Sequence, residues 1–556
     1  MNYVPENPLI AQSDHTLLLE TQSPRFEAAR DALLSFAELV KSPEYIHTWR
    51  ITPLSLWNAA AAGHTADEVI GRLHEFAKYP VPTNLPDTIR EKMGRYGRLR
   101  LVRDGEALQL EADRPEDLAE VRHLPELHDF FADSRTTPTT VRIAAHKRGE
   151  LKRAMLAFGY PVADFAGFED GDALKMEWKM TTPDGKPWSL RDYQVEAVDA
   201  FHGGPDAGSG VVVLPCGAGK TMVGIGAMIR LGMRTLILCT GQMALQQWRR
   251  EILSRTTLTE ADVGEYTSEK KQLAPVTLTT YQILTWRPQK HAPPAHFRLF
   301  HEANWGLVIY DEVHLLPAPI FRESAYLQAR RRLGLTATLV REDGLEGDVF
   351  ALIGPKRFDL PWKMLEHQGW IASARCVEVR VALSAEDRLR SATAPTKQKY
   401  TIASNNPRKG VMLEQLLARH ADEQVLVLGT YIEHLGFLAR KYHFPVISGE
   451  TSAAERDELY RRFREGELRV LALSKVGNFS VDLPGASVAV QVSGSFGSRQ
   501  EEAQRLGRVL RPKPGNNQAV FYSLVTADSP EQEYAERRKL FLTEQGYPYS
   551  IERFDG

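Results

Sequence analysis

Short apolar runs that alternate with helical stretches dominate the chain from about residue 188 onward. A first series consists of GVVVLP, RTLILCT, PVTLTTY and GLVIYDE, and a second series, after about residue 358, consists of QVLVLGT, FPVISGE, LRVLALS, VAVQVSG and AVFYSLV. Near-continuous apolar strands between helices are typical of a parallel sheet that helices cover on both faces. The pattern therefore predicts an α/β fold with two such blocks in tandem.

The first 165 residues show mixed helical and strand patterns instead. Apolar residues recur at helical spacing in SPRFEAARDALLSFAELVKS, and two helices broken at Gly63 are predicted in TPLSLWNAAAAGHTADEVIGRLHEFAKY, with Thr65 as N-cap of the second. A hairpin is predicted in RLRLVRDGEALQLEA, and a strand followed by a helix in TTVRIAAHKRGELKRAMLAFGY. Because no catalytic constellation occurs here, we expect a mixed α+β accessory or partner-binding domain.

Composition marks the boundaries between these parts. Residues 167–187 are rich in Asp, Gly and Pro, which suits a linker that contains a small hairpin. We therefore predict an N-terminal domain at 1–165, a linker at 166–187, a first α/β domain at 188–357 and a second at 358–556.

Overall composition and charge are those of an ordinary soluble globular protein. The 556 residues are 43% hydrophobic and 25% charged, and a net charge of −2 leaves nucleic acid only local basic clusters to bind. The distant cysteines Cys216, Cys239 and Cys376 argue against disulfides or a zinc site and favour a reducing compartment. Because neither a secretory signal nor a membrane-length apolar run occurs, we expect a cytoplasmic protein.

The segment VVVLPCGAGKTMVGIGAMI predicts a strand, a glycine-rich loop and a helix. Such a loop turns backbone N–H groups inward around phosphate oxygens. Lys220 would neutralise the β- and γ-phosphates of ATP, and Thr221 would hold Mg²⁺. Leu214 stands where the strict P-loop pattern has its first glycine, so the shorter form of the motif is present. The predicted nucleotide-binding residues are Gly217, Ala218, Gly219, Lys220 and Thr221.

The apolar strand of GLVIYDEVHLL ends in an acidic pair that complements the glycine-rich loop. Asp311 would join the Mg²⁺ shell, and Glu312 is the best candidate to orient and activate the attacking water, which phosphoryl transfer requires. We interpret His314 as a link between the ATP site and the neighbouring hydroxyl motif.

Two further segments carry candidate residues for ATP. The segment EEAQRLGRVLRPK predicts a helix with Gln504, Arg508 and Arg511 on one face, and its two arginines would act as arginine fingers on the γ-phosphate. The segment WSLRDYQVEAVDAF places Arg191 and Gln194 three residues apart, and the glutamine amide suits the edge of adenine because it both donates and accepts.

The segment GLTATLVREDGLEGD sets the hydroxyls of Thr336 and Thr338 close to a charged triplet, and neither half has the pattern of a core strand. An exposed charged turn is one interpretation of the triplet. The triplet consists of Arg341, Glu342 and Asp343.

Taken in chain order, RDYQ, CGAGKT, DEVH, LTAT and QRLGRVLR resemble the motifs of superfamily 2 helicases. Within these, LTATLVREDG and LALSKVGNFSVDLPGASVAVQVSGSFGSRQEEAQRLGRVLRPK are similar to the XPB DNA repair helicases, and LIAQSDHTLLLE and RITPLSLWNAAAAGHTADEVI to their bacterial branch. The resemblance covers nearly the whole chain. It implies two tandem RecA-like domains that hold ATP and move along one DNA strand in the 3′→5′ direction.

The resemblance also implies roles for individual residues. Positions where such helicases touch the DNA backbone match Thr240, Thr280, Tyr281, Gly449 and Thr451. Gly477 and Asp482 match the motif that couples DNA to ATP, and residues 384–404 fall where the family carries its thumb element. Residues after about 97 would replace the damage-recognition domain of archaeal and eukaryotic members. Our hypothesis for the charged triplet is a role at the DNA fork, where it bridges domains or wedges the duplex. The run Arg330–Arg332 could add positive charge for DNA, or be solvated at a helix end.

These observations support one function and leave two alternatives open. The first hypothesis is an ATP- and Mg²⁺-dependent 3′→5′ DNA helicase or translocase that acts in repair on single-stranded and forked DNA, associated with the nucleoid. The second is a DNA-stimulated ATPase that mainly remodels DNA or recruits a nuclease partner through the N-terminal domain, since the chain has no nuclease carboxylate cluster. The third is an RNA helicase, because the core motifs do not distinguish the sugars.

Overall fold

In a computed structural model, contacts divide the chain into two compact units. The first unit comprises residues 1–214 and 219–359, and the second comprises 215–218 and 360–556. The structure describes residues 3–41, 45–105, 107–131, 137–182, 185–203, 208–215, 217–289, 294–300, 302–316, 320, 330–337, 346–360, 365–366, 368–370, 372–474, 486–494, 518–544 and 547–554.

A four-stranded antiparallel sheet opens the first unit, with strand order β1-β2-β4-β3. Its strands are β1 (Leu9–Ala11), β2 (Thr16–Glu20), β3 (Glu38–Lys41) and β4 (Ile46–Arg50). The helices around it are α1 (Phe26–Leu33), α2 (Pro53–Ala61), α3 (Ala66–Phe76) and α4 (Asn84–Met93). The predicted break at Gly63 is confirmed, since this glycine has φ +92°, and Thr65 caps α3 by accepting a hydrogen bond from Glu68 N. The helix predicted around residue 30 ends at Leu33, and β3 follows it.

A second small sheet follows, with order β7-β6-β5-β8. Its strands are β5 (Leu99–Asp104), β6 (Ala107–Ala112), β7 (Thr140–Ile143) and β8 (Val162–Asp164). Its helices are α5 (Pro115–Arg122), α6 (His128–Phe131) and α7 (Arg148–Ala157), with 3-10 turns at Pro125–Leu127 and Ala145–Lys147. The predicted hairpin is confirmed as β5 and β6, and the predicted strand and helix as β7 and α7.

The first large sheet has seven parallel strands in the order β11-β12-β10-β13-β14-β9-β15. They are β9 (Ser209–Val213), β10 (Thr235–Cys239), β11 (Val263–Tyr266), β12 (Val276–Thr280), β13 (Leu307–Asp311), β14 (Arg331–Thr336) and β15 (Lys356–Asp359). The helices are α8 (Asp192–His202), α9 (Lys220–Leu231), α10 (Gln242–Arg255), α11 (Tyr281–Thr285) and α12 (Glu346–Leu352), with 3-10 turns at Phe297–Phe300 and Val313–Leu315.

The second unit contains another seven-stranded parallel sheet, in the order β18-β19-β17-β20-β21-β16-β22. Its strands are β16 (Ser373–Val381), β17 (Val425–Leu428), β18 (Val446–Ile447), β19 (Val470–Leu473), β20 (Val488–Gln491), β21 (Gln518–Thr526) and β22 (Tyr549–Phe554). Its helices are α13 (Ala385–Thr393), α14 (Thr396–Ser404), α15 (Arg408–Arg419), α16 (Ile432–Tyr442), α17 (Ala453–Arg464) and α18 (Pro530–Glu544).

These two sheets confirm the predicted fold class, two tandem RecA-like α/β domains preceded by a mixed α+β region. The apolar strands are buried along their length because helices flank both faces of each sheet. Helices α13 and α14 occupy most of residues 384–404, and the thumb-like role of this insert stays a prediction.

Strand β14 corrects two expectations from the sequence. Gly334 and Thr336 belong to this core strand, although their segment has no strand pattern. A Cβ at Gly334 would lie 3.1 Å from Val313 Cγ1, so the glycine allows close packing there. Arg332 is neither solvated at a helix end nor available to DNA, because it is fully buried in β14. Its guanidinium donates to the carbonyl of Leu352 at 2.8 Å and lies 5.5 Å from the ring centre of Phe168.

The N-terminal region packs directly on the outer edge of the first large sheet. Arg153 of α7 forms an ion pair with Asp348 of α12 at 2.6 Å. The backbone N–H of Lys356, in edge strand β15, donates to the Asn58 side chain of α2 at 3.1 Å. Both small sheets and the first large sheet therefore form one compact unit.

Cys239 and Cys376 are buried free thiols, and Cys216 lies outside the described residues. Within the described part of the chain, no helix has the length and apolar character needed to cross a membrane.

Candidate ATP and nucleic-acid site

Five neighbouring strands of the first large sheet end beside one another and carry most of the candidate residues. In spatial order they are β12, β10, β13, β14 and β9. Because parallel strands end at the same edge, and ligands of open α/β sheets bind outside the carboxyl ends, these residues share one edge. The residues at or after the five ends are, in the same order, Thr280, Thr240, Asp311, Thr336 and the P-loop from Gly217 to Thr221.

The P-loop has the backbone of a phosphate cradle. Gly217 and Gly219 have φ of +83° and +82°, left-handed values that turn successive N–H groups toward one side. Helix α9 begins at Lys220, so the positive end of its dipole faces the same point. A Cβ on Gly219 would lie 2.5 Å from Gln194 Nε2, which makes glycine necessary there.

Lys220 and Glu312 form the ion pair of the site. Lys220 Nζ donates to Glu312 Oε1 at 2.7 Å, and both side chains are more than four-fifths buried. Burial disfavours the charged form of Glu312, but the charges of Lys220 and His314 and the hydrogen bond from Lys220 outweigh it. They hold the pKa of Glu312 below its ordinary value. Oε2 of Glu312 is buried and accepts no hydrogen bond from any described residue, so this oxygen is available to a ligand.

Asp311 is held by two donors from other elements. Trp248 Nε1 donates to its Oδ2 at 3.1 Å, and the Tyr281 hydroxyl donates to its backbone carbonyl at 2.7 Å. Burial, and then repulsion from Glu312, raise the pKa of Asp311 to about 6. Two adjacent buried carboxylates favour a nearby cation.

The oxygen donors at this edge fit Mg²⁺. Asp311 and Glu312 offer carboxylates, and Thr221 offers a hydroxyl in the first turn of α9. Mg²⁺ prefers such hard oxygen ligands and completes its shell with water and substrate phosphates. Among the described residues, no cluster of three or more His, Cys, Asp or Glu could bind a metal by itself. The donor set therefore fits a cation shared with a nucleotide.

The predicted connection between His314 and the hydroxyl motif is a direct contact. His314 Nδ1 lies 2.5 Å from Thr336 Oγ1, and both residues are buried. The same nitrogen lies 3.6 Å from Glu312 Oε2. A chain of polar contacts therefore runs from Lys220 through Glu312 and His314 to Thr336.

The candidate DNA-contacting side chains are largely engaged in contacts within the protein. Thr280 accepts a hydrogen bond from Ile283 N as the N-cap of α11, and both Thr280 and Tyr281 are 5% exposed. Thr451 Oγ1 accepts from Ser448 N at 2.9 Å, ahead of α17. At Thr280 and Tyr281, contacts with DNA would come mainly from the backbone, which suits sequence-independent phosphate binding.

Arg191 and Gln194 form the start of α8. Gln194 Oε1 accepts from Arg191 N at 3.0 Å, and the Arg191 guanidinium donates to the Tyr193 hydroxyl at 2.9 Å. Gln194 is 4% exposed, and its amide nitrogen faces Gly219. The glutamine side chain therefore packs against the P-loop at Gly219.

Several predicted site residues lie outside the described part of the chain. They are Thr338, Arg341, Glu342, Asp343, Gly477, Asp482, Gln504, Arg508 and Arg511. Sequence reasoning missed Trp248, whose contact with Asp311 spans 63 residues of sequence and carries no local signal.

Comparisons with known proteins agree with this arrangement. A "DNA 3'-5' helicase XPB" of Kineococcus radiotolerans is 53% identical over 98% of this chain and 96% of its own length. One of Mycobacterium tuberculosis is 50% identical over 99% and 98%. A "General transcription and DNA repair factor IIH helicase/translocase subunit XPB" of Antonospora locustae is 35% identical over 98% and 81%.

The chain belongs to the XPB helicase family. As an XPB family member it is an ATP-dependent helicase. The family model "ERCC3/RAD25/XPB C-terminal helicase" matches residues 365–553, and "Type III restriction enzyme, res subunit" matches 188–341. "Helicase conserved C-terminal domain" matches 9–134 in the N-terminal region of this XPB relative.

A solved structure supports the fold assignment alone. The "ATP-dependent Type ISP restriction-modification enzyme LlaBIII bound to DNA" aligns with 80% of this XPB family member and 39% of its own chain, at a TM-score of 0.50 and 12% identity.

Proposed function

We propose that this chain is a 3′→5′ DNA helicase or translocase that couples ATP hydrolysis to the unwinding or remodelling of duplex DNA in repair. The observation that carries the proposal is the contact of Lys220 with Glu312 beside Asp311, at the same edge of the sheet as the candidate DNA contacts Thr240 and Thr280. The names of the full-length relatives from Kineococcus and Mycobacterium support DNA as the substrate and 3′→5′ as the direction.

In this proposal, the described residues divide the work of hydrolysis. Lys220 and the P-loop amides would bind the β- and γ-phosphates, and Thr221 and Asp311 would hold Mg²⁺. Mg²⁺ supplies charge neutralisation at the phosphates when it is bound. Glu312 orients the attacking water and takes its proton through the buried Oε2. From the sequence, Arg508 and Arg511 add positive charge at the γ-phosphate, Gln504 adds a neutral hydrogen-bonding amide, and Asp482 joins the nucleotide site.

The same edge of the sheet explains how DNA reaches this chemistry. Thr240 follows β10, which pairs with β13, and Thr280 ends β12 on the other side of β10. His314 follows β13, and Thr336 ends β14. A DNA strand bound at the ends of β10 and β12 therefore lies next to β13, which carries Asp311, and can change the position of this residue. Gly449, Thr451 and Gly477 contact the strand from the second unit in this proposal.

We infer two further properties of this function. The N-terminal domain, residues 1–165, binds a nuclease or other repair partner; exposed Tyr3 and Tyr79, with ring centres 5.3 Å apart, support a contact surface there. The second property is a location at the bacterial nucleoid, which DNA as substrate supports.

A Lys220→Ala variant tests the proposal. Loss of the positive charge at the phosphates should abolish DNA-stimulated ATPase, with a loss of roughly 10³-fold or more, comparable to the effect of a charge that stabilises phosphoryl transfer. Lys175→Ala is the matched control because its side chain is 91% exposed, and it should behave as wild type. ATPase of Lys220→Ala at the wild-type rate with single-stranded DNA would contradict the assignment.

Forked DNA with a single tail on either strand tests direction and substrate in the same preparation. Unwinding only from the 3′ tail is expected. DNA-stimulated ATPase without strand separation would favour the remodelling motor, and stronger stimulation by RNA would favour an RNA helicase.

A further inference from the structure

Trp248 makes the hydrogen bond that fixes the Asp311 carboxylate. Its indole Nε1 donates to Oδ2 at 3.1 Å, and the residue is 1% exposed. A hydrogen bond to a charged group inside a protein is directional and stronger than one between neutral groups. The indole therefore restricts the rotation of this carboxylate.

The indole itself has little freedom to move. A Cβ on Gly224 of α9 would lie 2.4 Å from Trp248 Cη2, so the P-loop helix packs directly on the ring. Leu335 of β14 lines the same place, with Cδ1 3.2 Å from that Cβ position. Trp248 is thus held between the helix of the P-loop and the strand of the hydroxyl motif.

Trp248 also belongs to an element that starts at a candidate DNA contact. Helix α10 begins at Gln242, directly after Thr240 and Gly241, and Trp248 lies within its second turn. Tyr281, in the next candidate segment, donates to the backbone carbonyl of the same aspartate. Two helices that begin at candidate DNA contacts, α10 and α11, therefore each donate a hydrogen bond to Asp311.

We propose that Trp248 is a positioning residue that holds the Asp311 carboxylate in the orientation Mg²⁺ requires, and that makes this orientation depend on helix α10 and hence on bound DNA. A shift of α10 on the phosphate backbone moves the indole, and the indole moves the carboxylate. The inference rests on the proposed function, because it assigns Asp311 to Mg²⁺ and the start of α10 to DNA.

Trp248→Phe removes the N–H donor and keeps an aromatic ring. Trp305→Phe is the matched control: Trp305 is also 1% exposed in the same unit, but its Nε1 donates to the Leu299 carbonyl at 2.9 Å. Both variants lose one buried hydrogen bond and similar ring volume. Mn²⁺ binding to the full-length protein with a non-hydrolysable ATP analogue, followed by electron paramagnetic resonance, reports on the metal without turnover.

We expect Trp248→Phe to bind Mn²⁺ roughly 10-fold more weakly than Trp305→Phe, the usual effect of removing a partner that orients a metal ligand. Single-stranded DNA should tighten Mn²⁺ binding in wild type and in Trp305→Phe, and should have no such effect in Trp248→Phe. Equal Mn²⁺ affinity in the two variants, or an undiminished DNA effect in Trp248→Phe, overturns the inference.

Gly224→Ala keeps the donor and displaces the indole, and it serves if Trp248→Phe does not fold. Its Mn²⁺ affinity should fall below that of the Trp305→Phe control, and unchanged affinity in folded Gly224→Ala overturns the inference. The ATPase of the wild-type protein distinguishes failure of the proposed function from failure of the inference. Absence of DNA-stimulated ATPase in the wild type contradicts the proposed function. An active wild type together with an unchanged Mn²⁺ affinity in Trp248→Phe contradicts only the inference.

Discussion

Glu312 has a backbone conformation that is uncommon for its residue type. Its φ of +49° lies in the left-handed region, which costs a residue with a side chain about 1 kcal/mol or more. The turn directs the carboxylate back to Lys220, 92 positions earlier in the sequence. Strain of this kind persists where surrounding contacts demand it, and here they belong to the candidate hydrolysis site.

At this residue, Glu312→Gln is expected to lower ATPase turnover by roughly 10²–10⁴-fold, since the amide cannot take a proton from water. Nucleotide affinity should change little because the amide oxygen still accepts from Lys220. Steady-state ATPase with single-stranded DNA and binding of a fluorescent nucleotide measure the two effects. Glu260→Gln is the control, since Glu260 is 71% exposed. Full turnover in Glu312→Gln would show that another group takes the proton from the attacking water.

Residues in contiguous motifs could be predicted from the sequence, whereas their partners could not. The P-loop and the acidic pair stand in recognisable strand, loop and helix contexts. Trp248 looks like an ordinary apolar residue of an amphipathic helix. Its indole N–H acquires a partner only when β10 and β13 become neighbours.

A buried ionic cluster joins α7 and β8 behind the first large sheet. Asp164 accepts hydrogen bonds from Arg148 at 2.7 and 2.9 Å and from Lys152 at 2.8 Å. Burial lowers the pKa of Lys152 to about 8, and Asp164 opposes that shift. The cations of Arg148, Lys152 and nearby Arg332 outnumber the single carboxylate in this group.

At the scale of these elements, Asp164→Asn should lower the free energy of unfolding by about 3–5 kcal/mol, because it leaves buried cations without their carboxylate. Lys152→Met, the matched variant, should be near neutral at pH 7, since Arg148 still pairs with Asp164. The first transition in urea, followed by circular dichroism, measures both. An Asp164→Asn as stable as Lys152→Met would show that the carboxylate is dispensable.

The same pair has a defined pH dependence. Between about pH 8 and the ordinary Lys pKa of 10.5, the unfolded chain binds more protons at Lys152 than the folded protein does. The contribution of Lys152 to the free energy of unfolding therefore rises with pH across that window, and this gain is lost as pH falls through 8. Lys152→Met should remove the rise.

Strand β14 shows where the sequence misled at this scale. Its residues Arg331 and Arg332 interrupt the apolar pattern of a central strand. Arg332 is accommodated because the Leu352 carbonyl accepts a hydrogen bond from its guanidinium and the Phe168 ring lies close to the cation. A polar residue with tertiary partners can thus occupy a core strand, which periodicity cannot reveal.

For the whole molecule, strand separation requires more than the hydrolysis site. Simultaneous alanine substitution of Arg341, Glu342 and Asp343 should keep most DNA-stimulated ATPase and abolish unwinding of forked duplex, if the triplet acts at the fork. The control replaces Glu116, Arg122 and Glu126, which are exposed in the N-terminal region, and should retain both activities. Survival of both activities in the triplet variant would reduce these residues to an exposed turn.

Hydrophobic periodicity and short motifs are local properties of a chain, so the two α/β blocks, the P-loop, the acidic pair and the family could be predicted from the sequence alone. The folded structure was needed to establish the strand order, which aligns Thr280, Thr240, Asp311, Thr336 and the P-loop along one edge. It also decided the packing of the N-terminal region on β15 and α12, and the contact of Trp248 with Asp311. These features depend on which distant segments become neighbours, and that choice is set by the packing of the whole sheet.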